Sequence, residues 1–177
     1  IDPSYIPCEE VQQLRLLTRR RKAYTERITQ CNNEIHNILQ RANIKLTSYL
    51  SDIYGITGIT LLEMFIDGEV ITEQTILPKI HGKVKATAAE LVEAMDGKLS
   101  FEDRFLLGQS LEHYRHSVNQ VEEITVVIKQ YVLERFEREY NLLIELPGVS
   151  AIVACVILSE IGPNVEAFKS QGNLASW

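Results

Sequence analysis

The stretch LRLLTRRRKAYTERITQCNNEIHNILQRA, residues 14–42, decides the fold. Its apolar positions step in alternating threes and fours: Leu14, Leu17, Arg21, Tyr24, Ile28, Cys31, Ile35, Ile38 and Ala42. Only Arg21 interrupts the series, and the mean step is that of a heptad, about 3.5 residues. Such a repeat is a coiled-coil seam. Pro7 is placed to precede a helix, and Glu9 and Glu10 suit the positive end of its dipole. Together they predict a helix from about Glu9 to Ala42.

A second seam lies downstream, within residues 101–145. Leu107, Leu111, Tyr114, Val118, Val121, Thr125, Ile128 and Val132 repeat the pattern, and Phe136, Tyr140 and Leu143 continue it with a phase slip. At 1.5 Å per residue each helix would reach roughly 50 Å, too long to bury its stripe inside a small globule. Each must therefore pair, with the other or with a second subunit. Between them, Gly55, Gly58, Gly68, Pro78, Gly82 and Gly97 cut residues 43–100 into short pieces. Expected there are a helix over Ile59–Ile66 capped by Thr57, a turn of helix over Thr72–Leu77 and a helix over Lys85–Met95. After Leu146-Pro147-Gly148-Val149-Ser150 comes the apolar run Ala151–Leu158, read as a helix because no strand partner exists for it. The expected fold class is all-α: two heptad helices forming a coiled coil, a head of short helices, and a C-terminal segment resembling a helix-hairpin-helix. The expected domains are residues 1–145, with the head at about 43–100, and residues 146–177.

Hydrophobic residues make up 45% of the 177 residues and charged residues 24%, the balance of a soluble globular protein. No apolar run approaches the roughly 20 residues of a membrane span, and no export leader is visible. Cys8, Cys31 and Cys155 are odd in number and form no zinc pattern, which suggests free thiols in a reducing cytoplasm. The net charge of −6 is uneven: residues 1–50 hold eight Lys/Arg against five Asp/Glu, the remainder ten against nineteen. The acidic balance argues against a protein that simply coats nucleic acid but leaves room for a local basic patch.

That patch is Arg19-Arg20-Arg21-Lys22, with Arg15 and Arg27 nearby. Wrapped on a helix, these cations suit the phosphates of DNA or RNA; the alternative is a solvated helix face with Arg21 setting register. Arg15, Arg19, Arg20 and Lys22 are the candidate contacts. The turn at Gly148, Val149 and Ser150 is another, because a tight Pro-Gly turn at a helix start offers backbone N–H groups to a phosphate without reading sequence. The usual form carries Gly where Ser150 stands, and a Cβ there is expected to make an unusual backbone angle uncomfortable. His113 and His116, beside Glu112, lack the matching carboxylates a bundle metal site needs. No nucleophile, phosphate loop or acid cluster points to catalysis, so no catalytic, cofactor or metal residue is expected here.

Three blocks of the sequence carry a resemblance. The first is Ile6-Pro7 with Leu14-Arg15-Leu16-Leu17-Thr18-Arg19-Arg20-Arg21-Lys22. The second is Ala42-Asn43-Ile44-Lys45-Leu46-Thr47-Ser48 with Ser51-Asp52-Ile53-Tyr54-Gly55-Ile56-Thr57-Gly58. The third is Leu146-Pro147-Gly148-Val149 with Leu158-Ser159-Glu160-Ile161-Gly162, Phe168 and Leu174-Ala175-Ser176-Trp177. In this order they resemble the DEDD-type insertion-sequence transposases, the group that includes the bridge-RNA-guided recombinases. The resemblance implies an acidic, magnesium-binding tetrad before Ile1 and a catalytic serine after Trp177. The chain itself would be the coiled coil and the opening of the transposase domain. It further implies DNA and a guide RNA as partners, and homo-oligomers assembled through the heptad helices. The expected function is an assembly and nucleic-acid-positioning segment of a transposase. A structural oligomerisation module without nucleic-acid binding is the alternative, and a helix-hairpin-helix glycosylase fits poorly because heptad helices are foreign to that fold.

Overall fold

The computed structural model describes residues 7–82 and 84–164, and among them the chain is all-helical with no strand. The helices are α1 (Glu9–Arg41), α2 (Leu46–Tyr49), α3 (Ile56–Asp67), α4 (Glu73–Ile76), α5 (Ala88–Ala94), α6 (Phe101–Arg135), α7 (Glu137–Ile144) and α8 (Ala151–Ile161). Contacts divide the chain into two compact units: Arg27–His116, and Ile1–Glu26 together with Ser117–Trp177. The long helices α1 and α6 pack together, and each contributes to both units.

In the unit of residues 27–116, α1 and α6 run antiparallel. The Ser110 hydroxyl donates to the Glu34 carboxylate at 3.0 Å and Arg41 pairs with Asp103 at 2.8 Å. Seven residues up α1 thus correspond to seven down α6, one heptad on each. Their seam residues Ile35, Ile38, Ala42, Leu107 and Leu111 join a core closed by the short helices, with Leu46, Leu61, Leu62, Met64, Ile76 and Leu91 buried against them. Helix α3 begins at Ile56, three residues before the expected start, with Gly55 as N-cap in extended backbone. Thr57 is therefore not a cap: it is buried in the first turn, and its hydroxyl accepts from the His81 backbone N–H at 2.9 Å. Helices α4 and α5 start from Thr72 and Thr87, each closing a reciprocal capping box, the latter with Glu90. Helix α5 is shorter than expected because that box sets its start at Ala88.

Tyr54 sits over this core, its ring stacked on Tyr114 at 4.5 Å and its hydroxyl donating to the Asn32 carbonyl at 3.3 Å. Burial, and then the neighbouring Tyr114, Cys31 and Asp52, push its hydroxyl well above the usual tyrosine range. A folded-state pKa above the unfolded one favours the neutral form. The stability it contributes is full below about pH 10, the ordinary tyrosine value, and is lost as pH rises beyond it. Denaturant midpoints measured on either side of that pH should fall on the alkaline side in the wild type. The fall should be shallower in Tyr54→Phe; equal slopes would show that Tyr54 does not titrate with unfolding.

In the other unit, α1 and α6 are again antiparallel. The Arg21 Nε donates to the Thr125 hydroxyl at 2.7 Å, and Tyr131 bridges to the Glu10 carbonyl and to Gln13. Helix α6 stops at Arg135 and α7 restarts after Phe136, whose φ of −136° and ψ of 29° break the helix where the heptad phase slips. Phe136 stays buried, and the break turns Tyr140 into the same core. Val11, Leu14, Ile128, Val132, Ala154, Cys155 and Leu158 complete it. Burial pushes the Cys155 thiol up, as expected of an inert core cysteine.

Candidate nucleic-acid interface

The basic run lies on α1, and helical geometry sends its members to different tasks. Arg15 points at the end of α8. Its Nε and Nη2 donate to the carbonyls of Ser159 and Glu160, both at 2.9 Å, and its Nε lies 3.4 Å from the Glu160 carboxylate. A guanidinium there satisfies last-turn carbonyls and complements the negative end of the helix dipole. One turn on, the Thr18 hydroxyl meets the buried Ser159 hydroxyl at 3.0 Å. Arg15, a candidate phosphate contact in the sequence, thus joins α1 to α8.

Arg19 is largely exposed and reaches the Glu160 carboxylate at 3.5 Å. Arg20 leaves that side of the helix, and its guanidinium lies over the Tyr24 ring at 6.0 Å. Arg21, on the seam, finds the partner its position demands in Thr125. Lys22 is exposed and pairs with Glu26, one helical turn on at 3.9 Å, a spacing worth a few tenths of a kcal/mol, about 0.3–0.5. Arg19, Arg21 and Lys22, with Thr18 and Thr25, line a groove of about 260 Å³ whose opposite wall is Val156 and Glu160 of α8. Arg21 was not among the candidate contacts, because its heptad position suggested only a register role.

The turn between α7 and α8 carries the other candidates. Gly148 has φ +84°, a left-handed value that suits glycine. Ser150, by contrast, is extended at φ −79° and ψ 164°, and its hydroxyl accepts from the Val153 N–H at 3.4 Å as the N-cap of α8. The expected discomfort of a Cβ at Ser150 does not arise, since the positive angle falls two residues earlier. Val149 is half-buried against the core of its unit, so its side chain serves packing.

His113 and His116 are exposed. The magnesium that the resemblance implies meets no ligand set among the described residues, where no three or more His, Cys, Asp or Glu side chains come together. No described helix is long and apolar enough to cross a membrane. A cleft of about 450 Å³ lies in the unit of residues 27–116, where Asp52, Gly55, Thr57, Gly58, His81 and Lys85 are among its walls. The sequence reading gave His81 and Lys85 no role, because they lie far along the chain from the block that forms the other wall.

No curated protein and no solved structure matches the chain. Residues 140–177, beginning at the buried Tyr140 of α7 and including α8, match the family described as Transposase IS116/IS110/IS902 family, which supports an IS110-type transposase of insertion sequences.

Proposed function

We propose that this chain is an assembly and nucleic-acid-positioning segment of a transposase that catalyses DNA transposition, with the cutting chemistry supplied by residues outside it. One observation carries the reading: α8, which falls in the transposase-matched stretch, packs on the same part of α1 that presents the basic run. A nucleic acid held by Arg19, Arg21 and Lys22 would lie against the matched helix α8. DNA is the partner this favours, with a guide RNA as a second nucleic acid for the same surface. The cations are sequence-indifferent contacts that set position, as phosphate contacts do.

Self-association belongs to the same reading. Seam residues such as Leu14, Leu107, Leu111, Ile128 and Val132 are already buried within one chain. A second copy would therefore use outward side chains, and Val126 and Leu133, one heptad apart on α6, are exposed at 66% and 38%.

The test is a salt titration of duplex DNA and RNA binding, with sedimentation of the same samples. The wild type should bind with an affinity that falls steeply with salt. Replacing Arg19, Arg20 and Lys22 together with Glu should weaken it at least tenfold, since each lost phosphate contact also lowers the salt slope by about one. Absence of salt-sensitive binding in the wild type, with a dimer still present, would favour a structural oligomerisation module instead.

A further inference from the structure

The groove between α1 and α8 is specific enough to divide the basic run into members that bind and members that do not. Three cations, Arg19, Arg21 and Lys22, face one carboxylate, Glu160, across about 260 Å³. The remaining wall is the methyl-bearing set Thr18, Thr25 and Val156. Cations on one wall and apolar groups around them match a phosphodiester strand, whose phosphates are charged and whose sugar rings and base faces are largely apolar. A duplex keeps its base faces stacked inside and offers a groove chiefly phosphates, whereas a single strand can lay sugar, base face and phosphate into it together.

We infer that this groove seats a single nucleic-acid strand, with Arg19, Arg21 and Lys22 on its phosphates and Glu160 as the strand's competitor for Arg19. The inference rests on the nucleic-acid reading above. Each cation is available in a different way. Lys22 is 77% exposed and, among the described residues, is held by a long, solvent-facing pair to Glu26. Arg21 uses its Nε on Thr125, and that bond fixes the guanidinium while its terminal nitrogens can still donate. Arg19 is 67% exposed and its contact with Glu160 is stretched to 3.5 Å, so a phosphate can replace the carboxylate at little cost. Glu160 remains bound to Arg15, which is anchored by two α8 carbonyls. A docked strand therefore exchanges one loose ion pair and leaves the α1–α8 junction in place. Arg20 takes no part, because its guanidinium lies over Tyr24 rather than in the groove.

Fluorescence anisotropy of the whole chain with a labelled single-stranded oligonucleotide of about 20 nucleotides, read at several salt concentrations, tests this. Lys22→Gln should weaken binding about fivefold or more and flatten the salt slope by about one. Arg21→Gln should do the same, and thermal melting of both variants checks that the fold is intact; Lys22, exposed and peripheral, keeps the test valid if Arg21→Gln melts early. Glu160→Gln should tighten binding about twofold to threefold by freeing Arg19, an effect that salt reduces. Arg20→Gln should stay within about twofold of the wild type, as a charge remote from the strand is screened. If Arg20→Gln weakens binding as much as Lys22→Gln, or Glu160→Gln weakens it, the groove assignment is overturned while the nucleic-acid reading stands. Tighter binding of duplex DNA than of the single strand would also overturn the groove. A wild type that binds neither would overturn both.

Discussion

Gly58→Ala is expected to destabilise the unit of residues 27–116 by about 3 kcal/mol, a hundredfold or more in its folding equilibrium. The sign is opposite to the usual one. Gly58 lies in the first turn of α3, and alanine ordinarily favours a helix over glycine by about 1 kcal/mol. Here a Cβ would meet the backbone of Ile53, lying 2.6 Å from its Cα and nearer still to its carbonyl. Those atoms are main chain, so no side-chain rotation relieves the overlap, and the loop entering α3 must move away from a core that includes Ile53, Leu61 and Leu62. Gly108→Ala is the matched control. It is also a helical glycine in this unit, but its new Cβ would meet only the Ile66 Cγ2 at 3.5 Å, an ordinary contact. That change should stabilise by up to about 1 kcal/mol. Denaturant midpoints of the two variants should shift in opposite directions; a Gly58→Ala protein as stable as Gly108→Ala would mean that α3 does not approach Ile53 this closely.

The heptad steps in α1 and α6 were legible because burial follows them directly. From Leu14 to Ala42 and from Leu107 to Val132 every seam position is buried or half-buried. The phase slip at Phe136 was legible too, as the break between α6 and α7. The start of α3 was not. A glycine N-cap uses extended backbone rather than a side-chain acceptor, so Thr57 offered the stronger local signal for the wrong position. At the candidate interface, composition identified the basic run, but it could not divide the tasks within it. Which cation faces α8 depends on residues such as Ser159 and Glu160, more than a hundred positions away in the chain. Arg15 is thus engaged at the end of α8, and Arg21 keeps its seam position beside Thr125 while also lining the groove. The turn before α8 shows the same limit on a smaller scale. Pro147-Gly148 marked the turn, but the sequence did not show that the left-handed angle sits at Gly148, which frees Ser150 to act as a cap.

Leu14→Ala should cost the other unit about 3 kcal/mol, within the 2–5 kcal/mol range of buried leucine truncations. Its effect should appear far away in sequence, in α8. Leu14 is fully buried in the core that also holds Phe136, Tyr140, Ala154, Cys155 and Leu158. Helix α8 is too short to be stable alone in water, where isolated helices below about 12–15 residues are marginal. Its buried face, Ala154, Cys155, Leu158 and Ser159, is small. It relies on the α1 side of the core and on the Arg15 and Thr18 bonds that follow Leu14 along α1. Hydrogen exchange should therefore quicken at the amides of Ala151–Ile161 in Leu14→Ala, while Leu16→Ala, at a site 70% exposed, should leave them within the roughly 0.5 kcal/mol of ordinary surface changes. Wild-type protection of α8 in the Leu14→Ala protein would mean that the transposase-matched stretch folds without α1. Loss of that protection would make α1 part of its folding unit, and strand binding should then fall as well, although no charge has been removed, because the groove exists only while α8 is held against α1.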